Sequence, residues 1–120
     1  MHELSIVTGI IRIVEEAARR HGAVKVESIE LEIGEMAGID RHAFDFAWRQ
    51  AVKGTLLEGA RRMIREIPAK ARCLECGHDF SVKQSFDACP RCGSYFKDIY
   101  QGKEMRVKAI EIEKLTEKTG

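Results

Sequence analysis

Apolar residues between Glu3 and His21 recur at Leu4, Val7, Ile11, Val14 and Ala18, the spacing of one helical face, and Gly22 stands where such a helix would end. Ile6, Ile10, Ile13 and Ala17 widen the stripe, which predicts burial against a sheet and a second surface besides. From Val24 to Ile33 the period shortens to two. Ile29, Leu31 and Ile33 alternate with Glu30 and Glu32, the pattern of a strand with one wet face. Gly34 and Gly38 bracket a turn, after which Asp40 can cap a second helix whose face is Phe44, Ala47, Trp48, Ala51 and Val52. Gly54 closes that helix, and a strand from Arg62 to Ile67 ends at Pro68.

Residues 69–102 break the pattern. They hold all four cysteines and several short turn signals, with no helical periodicity. From Lys103 alternation resumes: Met105, Val107 and Ala109 share one face, then Ile110 and Ile112 continue on the other, which predicts a bulge at Ala109–Ile110. The expected fold is α+β, two helices packed on a three-stranded sheet, with a cysteine module inserted before the last strand. Its expected limits are 1–68 with 103–120 for the main domain and 69–102 for the module.

Composition narrows the function. The 120 residues are 44% hydrophobic, 32% charged and only 7% aromatic, so a globular, mostly aliphatic core is expected. A formal net charge of +1 is too balanced for gripping a nucleic-acid backbone. No apolar run approaches the roughly 18–20 residues of a membrane span. The opening residues carry no basic leader, so a cytoplasmic protein is expected. In that compartment paired cysteines point to metal rather than to disulfides.

Cys73 and Cys76 form one Cys-x2-Cys pair, and Cys89 and Cys92 form another twelve residues later. Two such knuckles facing each other supply four sulfurs in a tetrahedron, the geometry of a closed structural zinc site. Gly77 and Gly93 follow the knuckles, where positive φ is eased. Iron is the rival metal, because Cys-Pro-Arg-Cys-Gly also looks like a rubredoxin knuckle. His78, two residues past Cys76, is read as an exposed loop residue, with ligand exchange as the sharper alternative. Four sulfurs leave no open position for a substrate. With no Gly-rich phosphate loop and no nucleophile beside a base, no catalytic residues are expected and the chain does not read as an enzyme.

The chain opens Met1-His2-Glu3. The α-amine, the His2 amide and imidazole nitrogens and the Glu3 amide nitrogen can close adjacent chelate rings around one ion. Planar nitrogen coordination suits Ni(II) or Cu(II). By itself this is a weak signal, since a histidine at position 2 commonly belongs to a frayed terminus. Asp40 is read as a helix cap, or else as a carboxylate near that metal.

Met1-His2-Glu3-Leu4-Ser5-Ile6, Ile33-Gly34-Glu35, Gly54-Thr55 with Glu58-Gly59-Ala60, Ile67-Pro68-Ala69 and the two knuckles together resemble the HypA/HybF hydrogenase maturation factors, over nearly the whole chain. The resemblance implies a nickel metallochaperone. It implies Ni(II) as cargo held by Met1, His2 and Glu3, which makes 1–68 with 103–120 the nickel-binding domain. It also implies a zinc ribbon over 69–102 with structural Zn(II) on Cys73, Cys76, Cys89 and Cys92. The implied partners are the maturation GTPase HypB and the [NiFe]-hydrogenase large subunit, and urease maturation proteins for members that serve urease. Two other functions fit parts of the chain. A nucleic-acid-binding zinc ribbon is disfavoured by the module's five basic and four acidic residues. A rubredoxin-like electron carrier would leave the α+β domain without a role.

Overall fold

The computed structural model describes residues 2–115. Helix α1 spans Glu3–Arg20, strand β1 Ala23–Gly34, helix α2 Arg41–Ala51, and strand β2 Arg61–Ile67. Three short strands follow, β3 Lys70–Cys73, β4 Asp79–Ser81 and β5 Lys97–Gln101, and β6 closes the order over Met105–Lys114. The strands form two three-stranded sheets, ordered β2-β1-β6 and β4-β3-β5. Two helices, a three-stranded sheet and an inserted small sheet match the α+β arrangement expected from the pattern. No described helix is long and apolar enough to cross a membrane.

Local chemistry sets the helix limits. α1 buries Val7, Ile11, Val14 and Ala18 of the predicted face, together with Glu3, but Leu4 of that face is exposed, as is Ile13 of the wider stripe. It ends where the His21 and Gly22 N–H groups reach back to Ala18 and Arg19 and Gly22 takes φ 77°. α2 begins at Asp40, whose carboxylate accepts the Ala43 N–H at 3.2 Å. It packs against α1 and buries Phe44, Ala47 and Trp48. Phe44 and Trp48 stack with ring centroids 6.1 Å apart, and the Arg62 guanidinium lies over both while bonding Asp45 at 2.7 Å.

β1 is the central strand of its sheet. Its partners on the β2 side rise with it: Glu32 meets Arg65, and the Glu35 N–H just past its end meets the Ile67 carbonyl. β1 and β2 are therefore parallel, with α2 as the crossover between them. Its partners on β6 fall instead, Ser28 meeting Glu111 and Glu32 meeting Arg106, so β6 is antiparallel. The change of face along β6 is present: exposure alternates up to Lys108, and Ala109 is a second exposed residue in succession before Ile110 and Ile112 turn inward.

The expected wet face of β1 needs correction. Ile29, Leu31 and Ile33 are buried as predicted, but so are Ser28 and Glu32. Being on the central strand, Glu32 is flanked on both sides. Arg65 reaches one oxygen at 3.2 Å and Arg106 the other at 2.6 Å. Paired in this way, a carboxylate tolerates burial that would otherwise be costly.

The chain forms two compact units, with the boundary falling within β1, β2 and β6. The first draws on the chain up to Leu31, on Ile39–Met63 and on the chain from Val107. The second draws on Glu32–Gly38 and Ile64–Arg106, so it takes in more than 69–102. In the second unit β3 pairs antiparallel with both β4 and β5, with a register irregularity at Lys70/Ala71. Its core is small: Ala69, Ala71, Cys73, Phe80, Val82 and Cys89, with Met36 and Ile99 packed against it. Two backbone crossings hold this unit tightly. The Gly34 N–H meets the Glu104 carbonyl, and the Met36 N–H meets the Gly102 carbonyl, both at 2.7 Å. A Cβ built on Gly34 would lie 2.0 Å from the Gly102 oxygen, so only glycine fits there.

Candidate metal centres

The cysteine knuckles are built alike. The Cys73 N–H bonds the His78 carbonyl and the Gly77 N–H returns to the Cys73 carbonyl, at 2.8 and 3.0 Å. Cys89, Ser94 and Gly93 repeat this arrangement, with both bonds at 2.8 Å. Gly77 and Gly93 take φ of 77° and 79°, the left-handed turn that brings the chain round behind the sulfurs. A bond from the Leu74 N–H to the Phe96 carbonyl links the first knuckle to the chain leaving the second.

The four sulfurs lie within 4.8 Å of one another. Cys73–Cys92 and Cys76–Cys89 are each 3.6 Å apart, sulfur to sulfur. A tetrahedral Zn–S bond of about 2.3 Å corresponds to sulfur separations of about 3.8 Å, so the donor set has the size such an ion requires. Backbone amides already face the sulfurs. The Glu75 and Cys76 N–H groups point to Cys73 and the Arg91 N–H to Cys89, all at 3.4 Å. The Cys76 N–H, with that of Glu75, draws the Cys73 thiol down to about 6. At Cys92 the Ser94 N–H acts to lower the value, but burial and the three neighbouring sulfurs prevail and push it up to about 12. At Cys89 burial acts to raise the thiol, but the Cys92 and Arg91 N–H groups prevail and lower it, while the Cys76 thiol is raised. Two sulfurs thus ionise readily, and their charge opposes ionisation of the other two. A divalent cation at the centre removes the conflict. Cys73 and Cys89 are buried, whereas Cys76 and Cys92 are exposed. His78 stands outside the cluster. Contrary to the expectation of a merely exposed loop residue, it is half-buried and stacks on Phe80, with centroids 6.1 Å apart.

At the other candidate centre Met1 lies outside the described residues. His2 is exposed and caps α1 in helical geometry, its carbonyl accepting the Ile6 N–H at 3.0 Å. Glu3 is buried, and its carboxylate accepts the Asp40 backbone N–H at 3.1 Å. That bond is the chief reason its carboxyl is held down to about 2. Asp40 itself caps α2 through Ala43. The first turns of the two helices are thus tied together by Glu3, directly beside His2. Sequence reasoning missed this link, because nothing local relates two helix starts 37 residues apart.

Comparison with known proteins gives one consistent result. A family model described as hydrogenase/urease nickel incorporation, metallochaperone, hypA, matches residues 1–112. The hydrogenase maturation factor HypA of Rhodobacter capsulatus is 44% identical over 112 residues, which are 93% of this chain and 99% of that protein. The corresponding factor of Parabacteroides distasonis is 45% identical over 114 residues, 95% of this chain and 99% of its own. The solution structure of the Ni metallochaperone HypA from Helicobacter pylori superposes with a TM-score of 0.69 at 30% identity, covering 96% of this chain and 100% of that one.

Proposed function

We propose that this chain, which belongs to the HypA family of hydrogenase/urease nickel-incorporation metallochaperones, binds Ni(II) at its own N-terminus and delivers it to the [NiFe]-hydrogenase large subunit during maturation. The family consists of maturation factors, not enzymes. Met1, His2 and Glu3 are the assigned nickel ligands, through the terminal amine, the imidazole and the backbone amides. The observation that carries this reading is the position of His2: exposed, yet joined directly to a backbone that the Glu3–Asp40 bond holds still. A delivery site has to release its ion, and an exposed chain end with a few planar nitrogen donors does so more readily than an enclosed cage.

Cys73, Cys76, Cys89 and Cys92 are assigned to structural Zn(II), the closed sulfur site suiting a resident ion and not cargo. Nickel handling is assigned to 1–68 with 103–120 and zinc to 69–102. The GTPase HypB, the hydrogenase large subunit and, for a urease client, urease maturation proteins are the proposed partners, and the cytoplasm the proposed compartment.

Metal analysis and nickel titration of untagged protein beginning at Met1, beside His2→Ala, test the assignment. The native chain should hold one zinc and bind about one nickel, and His2→Ala should lose the nickel and keep the zinc. Equal nickel binding by both proteins would remove His2 from the site. Iron as purified, with no nickel affinity, would favour an electron carrier.

A further inference from the structure

Beside the start of α1 the first unit leaves an apolar groove uncovered. Its walls are Leu4, Ala43, Phe46, Ala47 and the stem of Gln50. Leu4 is 59% and Phe46 60% exposed, although the core next to them is closed. Leu4 on α1 and Phe46 on α2 thus face water across one groove, a contiguous exposed apolar patch of the kind that marks a docking site.

The charge beside the groove is mainly basic, with Glu58, which accepts the Gly54 N–H at 3.0 Å, the carboxylate that shares a surface with Arg49 and Lys53. His42, Phe46 and Arg49 follow helical spacing, so His42 and Arg49 flank Phe46 on the side away from Ala43 and Ala47, while Lys53 lies in the turn past α2, its Nζ donating to Gln50 Oε1 at 3.5 Å. All three basic residues are exposed. The acidic residue of α2, Asp45, is already engaged by Arg62 at 2.7 Å and Arg41 at 4.0 Å. On α1, Glu15 accepts the Leu56 N–H and pairs with Arg19. Among the described residues no carboxylate is recorded in an ion pair with Arg49 or Lys53. In a chain whose net charge is only +1, this is a local concentration and not a general trait.

We propose that this groove and its basic rim receive an acidic amphipathic segment of a partner protein. An apolar side chain of the segment seats between Leu4 and Phe46, and its carboxylates face His42, Arg49 and Lys53. The apolar contact supplies the anchor, and the rim supplies orientation and a faster encounter. Leu4 is two residues from His2, so an occupant would be held beside the chain terminus. The proposal does not depend on which metal that terminus binds.

The test uses the full chain and two synthetic helical peptides with the same leucine pattern, one with glutamate and one with lysine at the remaining positions. Binding is followed by backbone amide shifts. The glutamate peptide should bind, shifting amides at Ala43, Phe46, Ala47 and Gln50, and should weaken as salt is raised. Phe46→Ser should weaken it by about tenfold or more, as loss of an interface anchor does. Arg49→Glu with Lys53→Glu should reverse the preference towards the lysine peptide. Because these side chains are exposed, the variants should fold, and their nickel titration should match the parent's; a change there would indict the terminus and not the groove. Binding of neither peptide, equal binding of both, or shifts confined to another face would overturn the proposal. So would a dimer in sedimentation that dissolves on Phe46→Ser, since the occupant would then be a second copy of this chain.

Discussion

Glu3 shows how much one side chain can do at a helix start. Its carboxylate offsets the exposed amides at the beginning of α1 and accepts the Asp40 N–H at the beginning of α2. The carboxyl is held at about 2, against 4.5 for a free one, so the ionised form is the one favoured by folding. The sign follows directly. This stabilisation is fully present above about pH 4.5 and is lost as pH falls towards about 2. Denaturation midpoints of the parent and Glu3→Gln should differ at neutral pH and converge across that interval. A constant gap down to pH 2 would mean that the charge is not what matters. The cysteine cluster was the most legible part of the chain, by the spacing of its two knuckles. The Glu3–Asp40 bond was not legible, because it joins positions related only by the packing of α1 on α2.

Among the elements, the helices were readable because a 3.6-residue period over ten or more residues averages out exceptions. Strands β3, β4 and β5 were not anticipated. At three to five residues they are too short for alternation to register, and turn signals dominate their surroundings. β1 was placed correctly, yet its second face was misjudged, since Glu30 and Glu32 read alike in sequence while only Glu32 is enclosed by Arg65 and Arg106. The crossing of Gly34 and Gly102 belongs to the same scale. Gly34→Ala would place a methyl group against backbone that has no side chain to swing aside. Destabilisation of about 1–3 kcal/mol is expected from such overpacking, measurable as a lower denaturant midpoint with unchanged slope.

For the whole molecule the uneven distribution of apolar residues matters most. The first unit buries Val7, Ile11, Val14, Ile29, Leu31, Phe44 and Trp48, a core able to sustain itself. The second has two alanines, Phe80, Val82 and two cysteines at its centre, too little apolar surface to hold β3, β4 and β5 unaided. Metal bound at the four sulfurs would act as the missing core. Removing it with a strong chelator should abolish amide protection in β3 and β5 while the helical circular dichroism of α1 and α2 persists. Loss of both signals together would show that the units share one cooperative transition.

The order of α1, β1, α2, β2 and β6, the helix limits, the cysteine knuckles and the glycines behind them were readable along the chain. They arise from forces acting over a few residues: side-chain periodicity, capping and the permitted values of φ. Folding settled the order β2-β1-β6, the enclosure of Glu32, the approach of Gly34 to Gly102, the tie from Glu3 to Asp40 and the uncovered groove at Leu4 and Phe46. Each depends on which distant segments meet. No local pattern records that, because the burial, pairing and close approach that select it exist only after the chain has packed.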